Sequence, residues 1–483
     1  MAKRLFWAGS GLHTRLSLAL AVSALATPPS TVAQESLVSS PEPSHAVRPR
    51  ILADRLPDKP SLPPAFNVAV GPLGFSAPGS FYLGQRTSLV SLDFLDEDRL
   101  LFTFRVPGLI RREAAEREAG EEGERRIRAL VLKLPAGTVE AEALWTVHDR
   151  ARYLWMLKDG SFLFRDLRNL EVGDASLELK PYLRFPGPLL WLEMDPTERY
   201  LVTNSREPVA AQAAGEPTSA PSNPSDQDPS LRTSGKPSLQ GDPGSLGFGT
   251  PATVEAPGAA QQQNPAAQPD LAVRILRRDS GEVILVSRTR IAVHLPVNSE
   301  GYLESLRAKA NVWLLSLNYF SGGRAILGQI SSGCPPLPDF LSQREVLVAN
   351  CTDSGAGGLV AMDTGGRRLW EVESSQTTVW PLIVRAPDGS RLARETLVVS
   401  TPVSARAPID PEEIRGQLVE VLDAADGKTV LETTASQALD AGGNVAISPS
   451  GRRVAVLNGG HIQIFELPPA PPLPEPASHL SAR

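Results

Sequence analysis

The residues whose chemistry could carry a reaction are few and far apart. Asp363-Thr364-Gly365 spells an aspartic-protease loop, but that reaction needs two carboxylates sharing one proton. No second Asp-Thr-Gly occurs, and the triplet coincides with a turn that recurs along the chain, so a structural turn is expected. His148, His294 and His461 are widely separated with no HExxH spacing, which points to ring packing rather than to a metal or a base. A Walker A loop and a G-x-S-x-G elbow are both missing. No residue is assigned as catalytic, cofactor-binding or metal-ligating, no cofactor is expected, and the reading leans away from an enzyme.

The compartment is better marked. Lys3, Arg4 and Arg15 precede an uncharged stretch from Leu16 to Ala26. That stretch is too short to span a bilayer as a helix but suits the apolar core of a secretory signal. Pro28 and Pro29 follow, and Thr31-Val32-Ala33 supplies small residues, so residues 1–33 are expected as a signal peptide cleaved after Ala33. Ala24-Leu25-Ala26 is the competing site. No cysteine lies nearby to carry a lipid, and no twin-arginine motif is present. Because no later run reaches 18 uninterrupted apolar residues, the mature chain is expected without a transmembrane anchor, either secreted or periplasmic. Cys334 and Cys351 are the only cysteines, and an oxidising compartment favours a disulfide between them. Closing that loop adds roughly 3 kcal/mol in the chain-entropy picture; two separate buried thiols are the alternative. Asn350-Cys351-Thr352 is also a glycosylation sequon.

The elements that must position these groups are strands. The 483-residue chain contains 44 prolines and 39 glycines, too many for a helical bundle. A net charge of −6 argues against nucleic acid as a partner. The charged run 111–128 holds equal numbers of acidic and basic residues and reads as a solvated loop. Residues 205–270 carry 11 prolines and a single aromatic, Phe248, a composition that cannot bury enough apolar surface to order itself. They are expected as a disordered insertion. The arm 34–64 and the tail 468–483 are similarly proline-rich and are expected to be disordered.

Between these segments, short apolar runs are cut by turn chemistry. Examples are 89–94, 100–104, 128–134, 161–167, 189–194, 200–204, 271–276, 282–287, 312–320, 345–350, 358–362, 396–401, 417–422, 453–457 and 462–467. Branched and aromatic residues dominate, and several runs alternate with polar residues, as strands do. Only Arg111–Ala119 and Tyr302–Ala310 tempt a helical assignment. The turns fall into two kinds. Residues 94–101, 194–201 and 447–454 open on Asp or on Ser-Pro and close on an arginine or a tyrosine before the next strand. Residues 276–283, 361–370 and 421–430, with a looser copy at 133–139, place glycine where positive φ is needed.

Two hairpin types in alternation describe four-stranded sheets repeated in series. The S-P-S-G-R-R-V-A-V hairpin with I-Q-I-F-E-L resembles the closing blade of WD40-like bacterial β-propellers. G-L-V-A-M-D-T-G-G-R-R-L-W-E-V (358–372) is similar to the repeat of quinoprotein-like propellers. The resemblance implies an all-β fold over 65–467, a single propeller of about seven blades with six as the alternative. Phe66–Val70 or Phe81–Leu83 is the candidate strand for closing the ring. The insertion then falls between the second and third strands of one blade. Quinone-dependent enzymes of that superfamily imply an adjacent cysteine pair and an aspartate base, neither of which is present here. The six tryptophans from Trp145 to Trp380 are expected as packing anchors. The function that follows is an exported, non-catalytic scaffold for a protein or cell-surface ligand, with a secreted or periplasmic hydrolase or lyase acting at the channel as the alternative. Convergent carboxylates or histidines at the channel would favour the enzyme.

Overall fold

The computed structural model describes residues 50–51, 55–76, 89–106, 125–148, 152–207, 271–351, 357–374, 377–402, 411–436, 438–439 and 442–471. Strands β1 (Arg50–Ile51) and β2 (Phe66–Ala69) come first and join later blades. Blade 1 is β3 (Ser91–Phe94), β4 (Arg99–Arg105), β5 (Arg125–Lys133) and β6 (Thr138–Val147). Blade 2 is β7 (Leu154–Met156), β8 (Phe162–Asp166), β9 (Asn169–Gly173) and β10 (Lys180–Arg184). Blade 3 is β11 (Leu189–Met194), β12 (Tyr200–Arg206), β13 (Leu271–Arg277) and β14 (Val283–Thr289). Blade 4 is β15 (Gly301–Lys309), β16 (Val312–Tyr319) and β17 (Arg324–Ser331). Blade 5 is β18 (Leu337–Phe340), β19 (Glu345–Ala349), β20 (Leu359–Asp363) and β21 (Arg368–Glu373). Blade 6 is β22 (Thr378–Arg385), β23 (Arg391–Val399), β24 (Ile414–Asp423) and β25 (Thr429–Ala435). Blade 7 is β26 (Val445–Ile447), β27 (Arg453–Asn458) and β28 (His461–Glu466), with β2 outermost. The protein is a seven-bladed β-propeller, as the repeats predict. Tyr302–Ala310 is strand and turn, not helix.

Alternation along each strand explains the ring. Odd and even residues of a strand face opposite sides of its sheet, so a strand with both faces covered packs one neighbour with each set. Strand β4 shows this directly. Leu100, Phe102 and Phe104 pack with Ala455, Leu457 and Ile462 of blade 7, whereas Leu101 packs with Tyr153, Phe162 and Phe164 of blade 2. The same division repeats round the ring. Trp155 and Leu163 meet Leu192 and Leu201; Val273 and Ile275 meet Val297 and Tyr302; Leu315 and Leu317 meet Val346 and Val348. Ala361 and Trp370 meet Leu392 and Leu422, and Val419 and Leu431 meet Val454 and Phe465. At about 1.5–3 kcal/mol for each large apolar side chain fully buried, these boundaries supply the main driving force.

Both turn families are built by side chains. Between the first two strands of a blade, an oxygen side chain accepts from backbone N–H groups two to five residues on: Asp96 from Asp98 and Arg99, Asp159 from Ser161, Asp195 from Thr197 and Tyr200. Ser342, Asp388 and Ser448 do the same in blades 5, 6 and 7. In blade 4 the equivalent is Asn298, which accepts from Glu300 and Gly301 just before β15. The segment 292–297 therefore takes the innermost place of blade 4 without forming a regular ladder, touching β15 through the Val297–Tyr302 bridge. Two hydrogen bonds between Asn204 and the backbone of Val293 hold it instead (2.9 and 3.0 Å). The outer turns then bond back to the inner ones: the N–H groups of Leu134, Arg278, Thr364, Ala424 and Leu467 donate to the carbonyls of Asp98, Arg199, Arg344, Ser390 and Arg452.

Closure is by β2, which pairs antiparallel with β28 from Phe66 opposite Ile464 to Ala69 opposite His461. The first of the two expected closing strands is the one used; Phe81–Leu83 lies outside the described residues. Of the arm expected to be disordered over 34–64, residues 34–49 and 52–54 lie outside the described residues, and the rest lies on the propeller. Arg50–Ile51 adds in parallel to the outer edge of β21, Leu56 lies over Gly416, Ser61 exchanges hydrogen bonds with Glu432 of β25, and Leu62 packs on the blade 6–7 core. The insertion does fall between the second and third strands of a blade, since β12 pairs with β13 over its whole length. Its expected start at 205 is too early: Ser205 and Arg206 complete β12, and Glu207 is buried against Arg274. The tail expected from 468 begins on the propeller, where the carbonyl of Pro468 accepts from Arg391. The expected signal peptide, Ala33, residues 208–270 and residues 472–483 lie outside the described residues.

Candidate functional site

Titratable groups converge where the innermost strands meet. Asp93, Glu193 and Asp339 occupy the same place in three blades, one residue before the end of β3, β11 and β18. Arg152 stands just before β7, His294 lies in the inner segment of blade 4, and Arg385 ends β22. Going round the ring, blades 1 to 6 thus contribute acid, base, acid, base, acid, base. Arg152 and Arg385 come from blades on opposite sides, yet the charge of Arg385 reaches the Arg152 guanidinium, which places both near the axis.

The charges are matched pairwise. Asp93 accepts from Ser91 at 2.5 Å and faces Arg152. Arg152 donates to the carbonyl of Leu154 and lies 5.3 Å over the ring of Trp155. Arg385 pairs with Asp339 at 3.3 Å and donates to the carbonyl of Phe340. His294 Nε2 lies 2.7 Å from the carbonyl of Pro338, and Nδ1 faces the Glu193 carboxylate at 3.2 Å, an ion-pair distance without hydrogen-bond alignment. A ring flanked in this way carries both protons. Burial works against that charge, but Glu193 and then Asp339 outweigh it, and the pKa is raised to about 9. Burial likewise pushes the carboxyls of Asp93 and Asp339 upward and the guanidinium of Arg152 downward.

This geometry limits the chemistry. An imidazole already protonated at neutral pH is no general base there. Each of the three carboxylates faces a cation, so none is an isolated nucleophile. Among the described residues no three His, Cys, Asp or Glu side chains are grouped to hold a metal. The arrangement is suited to tying six blades together across their inner edges.

A second buried polar group lies between blades 6 and 7. Burial pushes the carboxyl of Glu395 up to about 8. Its Oε2 accepts from Gln417 at 2.9 Å, and Oε1 has no hydrogen-bond partner among the described residues. Gln417 Oε1 in turn accepts from the Leu439 N–H and from Asn444.

The groups singled out by sequence are scattered. His148 pairs with Asp166 at 2.8 Å near the end of blade 1, and exposed His461 sits beside the Gly459 carbonyl. Only His294 enters the axial ring. Asp363 Oδ1 accepts from Gly365 and Arg367, a structural turn as expected. Asp279-Ser280-Gly281, a triplet of the same kind, is the matching turn of blade 3. Cys334 and Cys351 form the expected disulfide, which joins the blade 4–5 connection to the exit of β19. The sequon Asn350 is engaged, accepting from Gly358 at 2.7 Å and donating to Ser331 at 3.3 Å. Trp145, Trp155 and Trp370 are buried packing residues. The axial acids had one readable signal, the repeats Leu92-Asp93-Phe94, Leu192-Glu193-Met194 and Pro338-Asp339-Phe340 just ahead of the first turn.

No family model matches the chain, and no curated protein matches it. Among solved structures, the uncomplexed acylaminoacyl peptidase of Pyrococcus horikoshii is similar over 79% of this chain and 52% of its own, with 10% identity and a TM-score of 0.41. An acylaminoacyl peptidase in complex with Z-Gly-Gly-Phe-chloromethyl ketone is similar over 82% and 53%, also at 10% identity and a TM-score of 0.41. A chain in the crystal structure of a mitotic checkpoint complex is similar over 90% of this chain and 98% of its own, at 9% identity and a TM-score of 0.40. The chain spans about half the length of the peptidases it resembles.

Proposed function

We propose that this chain is an exported, non-catalytic propeller that binds a protein or cell-surface ligand. The observation that supports this reading is the alternating ring at the axis, where three cations and three anions compensate one another and leave no free base. In this reading the ligand is met at the edge where second strands hand over to third strands. The chain leaves β4 at Arg105 and re-enters at Arg125, leaves β12 at Arg206 and re-enters at Leu271, and leaves β23 at Val399 and re-enters at Ile414. Long connections from a rigid scaffold are the usual place for recognition. Among the described residues no helix is long and apolar enough to cross a membrane, and the disulfide is compatible with an extracellular setting.

One observation favours the second reading, a secreted or periplasmic hydrolase or lyase. Glu395 keeps its proton near neutral pH, as a general acid requires, and its Oε1 has no hydrogen-bond partner among the described residues.

The test is to recover the protein from its native host, sequence its amino terminus and cross-link it to whatever it contacts. The expected result is a chain beginning at Gln34 outside the cytoplasm, with a complex that survives Glu395→Gln but is lost when the long connections are replaced by short turns. An intact Met1 in the cytoplasm would refute export. A complex indifferent to the connections would refute the binding surface, and turnover abolished by Glu395→Gln would establish the second reading.

A further inference from the structure

The outer rim of the propeller is unevenly covered. The chain's own N-terminal arm adds a strand to β21, touches β25 and pairs with β28, so the edges of blades 5, 6 and 7 are occupied. In blades 1 and 3 the outermost strands, β6 and β14, pair on one side only among the described residues. Among the described residues six large apolar side chains are well exposed, and five belong to these two edges: Val139 and Leu144 on β6, and Val283, Val286 and Ile291 on or just past β14. Exposed apolar edge strands are templates for pairing with another chain.

The two edges carry opposite charge in mirrored order. On β6 the exposed sequence runs Val139-Glu140-x-Glu142-x-Leu144, and on β14 and the bend after it Val286-x-Arg288-x-Arg290-Ile291. Antiparallel alignment of β6 (Thr138–Val147) with β14 (Val283–Thr289) sets Leu144 opposite Val286 and Glu142 opposite Arg288, and it brings Glu140 to the side of Arg290 in the bend that follows β14. Directly opposed apolar pairs and opposite charges favour pairing, and like charges oppose it. Two β6 edges would set glutamates against glutamates, and two β14 edges arginines against arginines. Each edge therefore rejects its own kind and accepts the other.

We propose that β6 of one molecule pairs antiparallel with β14 of a second copy in this register, a head-to-tail contact between the rims of blades 1 and 3. Because the two patches differ, the contact is heterologous and propagates into a ring or an open chain. Glu142 and Arg288 keep their internal partners Arg128 and Glu207 but leave about half of each side chain exposed (51% and 42%). A strand edge alone buries less than a standard interface of roughly 1,200–2,000 Å², so the association is reversible and weakened by salt. It holds whether or not the long connections bind a partner.

The purified chain is examined by sedimentation velocity over a concentration series. Wild type is expected to associate with rising concentration, less so at high salt. Glu140→Arg and Arg290→Glu, both at exposed positions, are each expected to weaken association about tenfold, as a like-charged pair replaces an opposite one. Mixing the two variants in equal amounts restores it, since each supplies the edge the other now needs; this rescue also shows that both are folded. A wild type that stays monomeric to its solubility limit, single variants that associate like wild type, or a mixture no stronger than its components would each overturn the proposal.

Discussion

In blade 1 the second strand, β4, buries Leu100, Leu101, Phe102 and Phe104; the equivalent strand of blade 6, β23, buries all nine of its residues, Arg391, Arg394, Glu395 and Thr396 among them. The two strands hold the same position in the ring. Blade 1 fills it by apolar contact, with Phe102 meeting Phe75 edge-on at a centroid distance of 5.3 Å and Phe104 at a tilt at 5.0 Å. Blade 6 fills it with directed bonds. Arg391 reaches Asp423 at 3.0 Å, the Gly451 carbonyl at 3.1 Å and the Pro468 carbonyl at 2.5 Å. Arg394 reaches Glu420 at 3.0 Å and the hydroxyl of Ser374. Burial alone presses the Arg394 guanidinium toward neutrality, and Glu420 opposes it. Apolar packing sets how much surface is buried. Charged bonds also name the residue at the other end, and here those ends lie in the blade 5–6 connection, the first turn of blade 7 and the start of the tail.

The sharpest break of this contrast is Glu420→Ala, which leaves Arg394 buried without its counter-ion and should cost about 3–5 kcal/mol in urea unfolding. The paired replacement Arg394→Met with Glu420→Leu should recover most of that loss, because two apolar side chains avoid the desolvation penalty. If the double variant is as unstable as the single, charge is not what distinguishes blade 6. In blade 1, Phe102→Ala should cost about 3 kcal/mol through lost transfer energy and the cavity left behind. No second substitution nearby should restore it, since a cavity has no charge to compensate.

A smaller effect separates the blades by pH. Glu395 has its folded pKa raised to about 8 by burial, from an ordinary value of 4.5. Its protonated form is the one the fold accepts, so its full contribution is present below pH 4.5 and is lost as pH rises through 8. Glu395→Gln keeps an acceptor for Gln417 and removes the titration. The variant should lose most of the decline in stability between those pH values, a gain of a few kcal/mol at the alkaline end. Wild-type and variant curves that stay parallel would place the titration elsewhere. Blade 1 has no such group on β4, so Phe102→Ala should lower the curve without changing its slope.

The same contrast explains what was readable in the sequence. Strands β4, β8, β20 and β27 bury nearly every residue, and their apolar runs mark them within a residue or two. In β23 the visible run begins at Thr396, because Arg391-Leu-Ala-Arg-Glu395 looks like a loop until Asp423 and Glu420 are placed beside it. Outer strands such as β10, with Lys180 and Arg184 exposed, and β17, with one buried stripe, lack a run to recognise. The inner segment of blade 4 was invisible for a different reason: side chains of another blade hold it, with no ladder of its own. The axial ring escaped because its six members come from six blades, and only their position relative to each first turn is shared.

The smallest predicted effects test where the contrast should vanish. Blades 1 and 6 differ inside but share one turn: Asp96 accepts from the N–H groups of Asp98 and Arg99, and Asp388 from that of Ser390. Each aspartate also takes a side-chain bond, from Arg99 at 2.7 Å and from the Ser390 hydroxyl at 2.6 Å. Both turns lie at the solvent edge, where a freed N–H can turn to water, so the loss is that of a net hydrogen bond and not of an orphaned buried group. Asp96→Ala and Asp388→Ala should each cost about 1 kcal/mol, and the two losses should agree within about 0.5 kcal/mol. Agreement would mean that the turn is a unit of the repeat, indifferent to whether phenyl rings or guanidinium groups lie above it. A loss in blade 6 larger by several kcal/mol would mean that the turn holds Arg391 in place through Ser390 and Ala424, and that the charged interior reaches the surface of its blade.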